Sequence, residues 1–294
     1  MGSELSVKAP GGRTLDVYLD GPGAGIPLLF HSGTPSSGGL YAPFVGAAAT
    51  RGLRMIGFSR AGYGGSTRAP GRSVADVTGD VAAILDALDA PRFYTLGWSG
   101  GGPHALACAA LLPERMIGAC TVGSPAPYGA DGLDWLAGMN VQNVMAFNAA
   151  LAGEDELAAV ADQVAAAMSS ITPDGVIASL AAIAPEVDRA AVTCEAAAWF
   201  AENFRESVRN GPWGWFDDQR ALVSPWGFDV AAIRVPVATW QGAQDRMTPF
   251  AHGAWLASHV PGARAHLLRE HGHISLGVAS FGEMLDDLLA IAPS

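Results

Sequence analysis

Gly97-Trp98-Ser99-Gly100-Gly101 sets a hydroxyl among small residues directly after the apolar run Phe93 to Leu96. A strand feeding a tight turn into a helix, here expected over Pro103 to Leu112, is the setting in which a serine adopts a strained backbone and projects its hydroxyl. Gly100 then offers a backbone N–H near the helix start, where negative charge developing on an attacked carbonyl is stabilised. A serine hydroxyl is a weak nucleophile near neutral pH. A base must lie within hydrogen-bond reach of it, and a third group must orient that base. In such a layout an acid and then a histidine follow the serine, each on a loop after a later strand. Both slots are filled: Gly242-Ala243-Gln244-Asp245-Arg246 follows the apolar run Val235 to Gln241, and Glu270-His271-Gly272-His273 follows Arg264 to Leu268.

The elements needed to position these residues are visible as alternating patterns. Strands are expected at Arg13 to Leu19, Pro27 to Phe30, Arg54 to Phe58, Phe93 to Trp98, Met116 to Val122, Val235 to Gln241 and Arg264 to Leu268. Helical periods between them imply parallel strands joined by crossovers. Val74, Val77, Val81, Ile84, Leu85 and Leu88 mark one such helix, with Ser73 and Asp76 as a capping box. After about Pro125 the alternation stops. Ala-rich helical patterns run from Gly132 to Leu151, Glu154 to Ser169, Pro173 to Ile183 and Val187 to Val208, followed by an aromatic loop around Trp213, Trp215 and Phe216. This stretch reads as a helical insertion into one sheet.

Composition narrows the partners. Of 294 residues, 50% are hydrophobic and 15% charged, which fits a generous core and argues against extensive disorder. A formal net charge of −11 repels phosphate backbones and anionic headgroups, so neither nucleic acid nor a membrane is an expected partner. No signal-peptide pattern opens the chain and no apolar run reaches spanning length, so a cytoplasmic location is the expectation. The cysteines Cys108, Cys120 and Cys194 are widely spaced and odd in number, and read as small core residues. Oligomeric state is not legible.

Four motifs in order resemble the α/β-hydrolase superfamily, in the helically capped branch that contains esterases, lactonases, cofactor-free haloperoxidases and carbon–carbon bond hydrolases. They are His31-Ser32-Gly33-Thr34-Pro35, the loop Ser59-Arg60-Ala61-Gly62-Tyr63-Gly64-Gly65-Ser66, the Ser99 turn, and the loops bearing Asp245 and His273. The resemblance implies the fold class α/β: an α/β-hydrolase fold with a mostly parallel central sheet flanked by helices. The core would be 1–126 and 227–294, with a helical cap at 127–226. It also implies roles. The first motif looks like the family's His-Gly-x-Pro oxyanion loop, so Thr34 supplies an oxyanion N–H beside that of Gly100. The second histidine of His-x-His, His273, is the catalytic one, ahead of His271. Ser32 stands where many members carry histidine, and Ser59 replaces a leading aspartate, so the second loop is read as structural. Some members place the acid after the sixth strand. Here Gly123-Ser124-Pro125-Ala126-Pro127 has no carboxylate, and Asp131 and Asp134 lie farther along, which favours Asp245.

The implied reaction is two-step acyl transfer by Ser99, His273 and Asp245, with no metal or organic cofactor. A serine nucleophile argues against relatives that need a carboxylate there, such as epoxide hydrolases and haloalkane dehalogenases. Trp135, Met139, Phe147, Trp199, Phe204, Trp213, Trp215 and Trp226 either line an apolar pocket or pack the cap on the core. The expected substrate is a small or medium, largely apolar ester or lactone. Two alternatives stay open: a carbon–carbon bond hydrolase acting on a diketone with the same triad, and a non-catalytic small-molecule receptor.

Overall fold

Residues 2–291 are described by a computed structural model. Eight strands form one sheet: β1 (Ser3–Lys8), β2 (Thr14–Asp20), β3 (Ile26–His31), β4 (Leu53–Phe58), β5 (Phe93–Trp98), β6 (Met116–Val122), β7 (Val237–Gly242) and β8 (Arg264–Leu268). Their order is β1-β2-β4-β3-β5-β6-β7-β8. β2 pairs antiparallel with β1 and β4, and every other neighbour is parallel. β5 lies near the centre and is buried along its whole length, as a continuous apolar run in a parallel sheet requires. The strand β1 has no counterpart in the expected set. Only Val7 of its six residues is buried, so an edge strand of this kind carries almost no hydrophobic pattern.

Before the fifth strand lie α1 (Ala42–Ala49) and α2 (Val77–Ala87), and after it α3 (Gly102–Leu111). Between β6 and β7 run α4 (Val141–Ala152), α5 (Glu154–Ser169), α6 (Pro173–Ile183), α7 (Glu186–Ala191), α8 (Cys194–Ser207) and α9 (Trp213–Leu222). The chain closes with α10 (Phe250–His259), α11 (Ile274–Ala279) and α12 (Phe281–Ala290). Successive strand residues face opposite ways, so Leu29 and Ile56 join Val81, Ile84, Leu106 and Leu256 on one face. Leu28, Phe30 and Met55 join Phe44, Leu285 and Leu288 on the other. Each helix layer thus buries one half of the sheet's side chains.

Local chemistry moves several helix boundaries from where periodicity puts them. The α2 helix begins only at Val77, because the Asp76 carboxylate turns back to accept hydrogen bonds from Ser73 N (2.7 Å) and Ser73 Oγ (2.9 Å). The helix expected from Gly132 starts at Val141: Gly132 and Gly138 hold left-handed φ values of 72° and 84°, and Asn140 Oδ1 caps Asn143 N at 3.0 Å. The run Val187 to Val208 is broken near Val192, and Thr193 Oγ1 restarts it by accepting from Ala196 N. The aromatic segment around Trp213 is helical rather than a loop, with Pro212 at its cap position and Trp215, Phe216 and Leu222 buried. Among the described residues, no helix is long and apolar enough to cross a membrane.

Candidate active site

Ser99 directly follows β5 with φ 56°, a left-handed conformation that costs a non-glycine residue on the order of 1–3 kcal/mol. The neighbours make that turn possible. A Cβ at Gly97 would lie 2.7 Å from the Gly101 carbonyl carbon, and one at Gly101 would collide with the His31 carbonyl, so both positions require glycine. A Cβ at Gly33 would lie 3.3 Å from Ser99 Cβ, and one at Gly100 3.5 Å from the Thr34 nitrogen. The loop after β3 and the start of the turn after β5 are therefore in contact, with Thr34 N and the Gly100 segment side by side.

Asp245 and His273 meet at the neighbouring strand ends. His273 Nδ1 is 2.7 Å from Asp245 Oδ2, and both side chains are buried. The other carboxylate oxygen accepts from Met247 N and Thr248 N, each at 2.8 Å. Gln241 Nε2 donates to Oδ2 at 3.2 Å. Asp245 thus shapes its own loop with one oxygen and faces the imidazole with the other. Burial, the largest single influence on His273, pushes its pKa down. The charge of Asp245, its hydrogen bond and the charge of Asp188 together outweigh this and leave the imidazole above its ordinary value of 6.5. Gly123 must lack a side chain here, since a Cβ would lie 2.9 Å from His273 Nδ1. The Trp98 indole stacks on the imidazole at 6.1 Å between centroids.

A second charged cluster holds the loop after β3 from below. Asp218, on α9 and fully buried, accepts from Arg60 Nη2 (2.6 Å), Arg72 Nη2 (2.6 Å), Tyr63 Oη (2.9 Å) and Thr34 Oγ1 (2.6 Å). Arg60 also donates to the carbonyls of Ser32 (2.6 Å) and Gly33 (3.0 Å). Burial opposes ionisation of Asp218, yet the two guanidinium groups hold its carboxyl well below the usual range. His104 Nε2 lies 3.7 Å away, outside hydrogen-bonding range. Burial pushes that imidazole down to about 4, so it is neutral at pH 7. The motif read as structural, Ser59 to Ser66, thus supplies Arg60, which fixes the backbone of the loop after β3.

The remaining candidates separate cleanly. Asp131 and Asp134 are exposed. His271 lies in the same loop as His273, but its buried Nδ1 has no partner. His252 bridges backbone groups, accepting at Nδ1 from Ala126 N and facing the Trp135 carbonyl through Nε2. Trp135, Phe147, Trp215 and Trp226 pack into hydrophobic clusters. Trp213 is partly exposed beneath the Arg68 guanidinium, 4.0 Å from its ring. Phe200 approaches Trp98 at 6.1 Å and in turn contacts Trp199 at 4.8 Å and Phe204 at 5.8 Å between ring centroids. Cys108 and Cys120 are buried, whereas Cys194 is exposed at the start of α8. Among the described residues, no group of three or more His, Cys, Asp or Glu side chains is placed to hold a metal ion.

Residues 26–279 match the sequence profile of the alpha/beta hydrolase fold family, and the chain belongs to that family. RutD of Azorhizobium caulinodans, which carries the name of a candidate carbamate hydrolase, is 33% identical over 106 residues, 36% of this chain and 40% of its own. A non-heme chloroperoxidase of Streptomyces lividans is 34% identical over 113 residues, 37% of this chain and 41% of its own. The chain thus spans about two fifths of the length of these curated relatives. The crystal structure of the enol-lactonase from Burkholderia xenovorans LB400 superposes with a TM-score of 0.67 at 22% identity, covering 97% of this chain and 100% of the other, and supports the shared fold.

Proposed function

We propose that this hydrolase-family chain is a serine hydrolase that cleaves a small or medium, largely apolar ester or lactone through an acyl-enzyme on Ser99. The observation that carries the reading is the buried His273–Asp245 pair at 2.7 Å, whose imidazole stacks on Trp98, the residue before a serine held at φ 56°. Asp245 fixes the imidazole so that Nε2 is free to take the Ser99 proton. The N–H groups of Thr34 and Gly100 receive the oxyanion, and His273 then protonates the leaving group and activates water. The aromatic run from Trp98 through Phe200 supports an apolar acyl or alcohol group. The helices at 127–226 act as the cap that shapes the pocket.

Intact-mass analysis after incubation with a fluorophosphonate, beside hydrolysis of p-nitrophenyl esters of increasing chain length, tests this reading. One adduct per chain and turnover of short esters are expected. A protein inert in both assays loses the assignment.

The pH dependence follows from the same pair. The base must be neutral to accept a proton, and His273 sits above 6.5. Activity is therefore present above that raised value and disappears as the pH falls through it. The acid limb of kcat/KM is expected to have its midpoint above pH 6.5, and a midpoint below 6.5 would mean that another group sets the limb.

A further inference from the structure

We infer that Asp188, on α7, is a positioning residue for His273: it grips the backbone of the base from the helical stretch between β6 and β7 and so couples that stretch to the imidazole. The inference rests on the reading of His273 as the base.

Asp188 is fully buried. One carboxylate oxygen accepts from His273 N at 2.8 Å; the other accepts from Ser275 N at 2.8 Å and Ser275 Oγ at 2.9 Å. Ser275 Oγ in turn accepts from Gly272 N at 2.8 Å. Three donors of the base's loop, His273 N, Ser275 N and Ser275 Oγ, therefore end on one side chain that lies more than eighty positions earlier in the chain. These N–H groups open α11, whose first-turn donors have no partner within the helix, and the residue at its cap position, His273, makes no side-chain capping bond. Asp188 does that work from another element.

Two details show a carboxylate fitted to this task. All its partners on the loop are donors, so an acceptor-only group satisfies them and an amide could not. Gly272 leaves the space: a Cβ there would lie 2.5 Å from the Asp188 carboxylate carbon. Asp218 is surrounded by arginines, but no ion pair among the described residues includes Asp188. Its charge is left to act on what it touches. Among the described residues, the charged groups against His273 are Asp245 from the β7 loop and Asp188 from α7, His271 lies two positions earlier in the same loop, and Trp98 stacks on the ring. Asp188 adds to the upward pull of Asp245 on the imidazole.

The test compares Asp188→Asn and Asp188→Glu with the wild type by pH–rate profile on the ester turned over best. The His273 imidazole is titrated by NMR in the Ser99→Ala background, which needs no turnover. Asp188→Asn should lower kcat roughly tenfold or more with KM nearly unchanged, because a misplaced base costs rate rather than binding. It should also move the acid limb and the imidazole titration down by roughly half a pH unit or more. Asp188→Glu, which keeps the charge but not the reach, should lose kcat while the limb stays near its wild-type position. The inference is overturned if Asp188→Asn loses thermal stability alone, with kcat per folded molecule and the imidazole titration both unchanged. Failure of the underlying reading looks different: His273→Ala would retain hydrolysis, whatever the Asp188 variants do.

Discussion

Ser99→Ala is expected to lower kcat for a p-nitrophenyl ester by about 10⁴-fold or more, while the protein stays folded. The substitution removes one oxygen and leaves the turn intact, so on the proposed mechanism Gly100 and Thr34 still polarise a bound carbonyl. What disappears is the covalent step. On the proposed assignment serine and histidine act as one unit, so Ser99→Ala/His273→Ala should be no slower than Ser99→Ala alone. Steady-state kinetics of the two variants, with fluorophosphonate labelling in parallel, measure this. Residual activity within tenfold of wild type, or an adduct on Ser99→Ala, would place the nucleophile elsewhere.

Asp218→Ala should cost about 3–5 kcal/mol, because it strands the Arg60 and Arg72 guanidinium groups in the interior without a counter-charge. At about 2–4 °C per kcal/mol for a chain of this size, the melting temperature should fall by roughly 10 °C. The loss reaches the site as well. Thr34 Oγ1 loses its acceptor, and Arg60, which holds the Ser32 and Gly33 carbonyls, loses its anchor. Folded Asp218→Ala is therefore expected to lose kcat more than KM. Differential scanning calorimetry decides the stability claim, and a shift under about 2 °C would mean that the cluster is open to water in solution.

The parts of this molecule that were legible from sequence share one property: each is written in a contiguous stretch. β5 and its turn sit within ten residues, and β3 to β7 appear as apolar runs because both faces of a parallel sheet are buried, whereas the edge strand β8 has no buried residue. The Asp245 and His273 loops are each marked by the strand before them. What escaped notice depends on distance. β1 is an edge strand with one buried residue. Asp188 and Asp218 lie in Ala-rich or aromatic helices, and nothing local distinguishes them from surface carboxylates. Their partners at positions 273–275 and at 34, 60 and 72 come from other elements. A signal for Asp218 did exist: Arg60, Arg68 and Arg72 crowd one loop in a chain poor in basic residues, and Asp217-Asp218 is the pair that answers them. The helix boundaries moved because glycine φ values and single capping side chains override periodicity, as at Gly138 and Asn140.

The order of the sheet has a consequence for how the molecule is made. β3, β4, β5 and β6 come from the first 122 residues and can pair as soon as they leave the ribosome, whereas β7 joins β6 only after the long helical stretch has been synthesised. Closing that connection is an entropic debt settled late, and non-local pairings of this sort slow folding. On the proposed assignment, the nucleophile is in place early, while acid and base arrive on the last two strands. A nascent chain therefore passes through translation with its serine unarmed, and reactivity toward a fluorophosphonate becomes a clock for completion of the sheet.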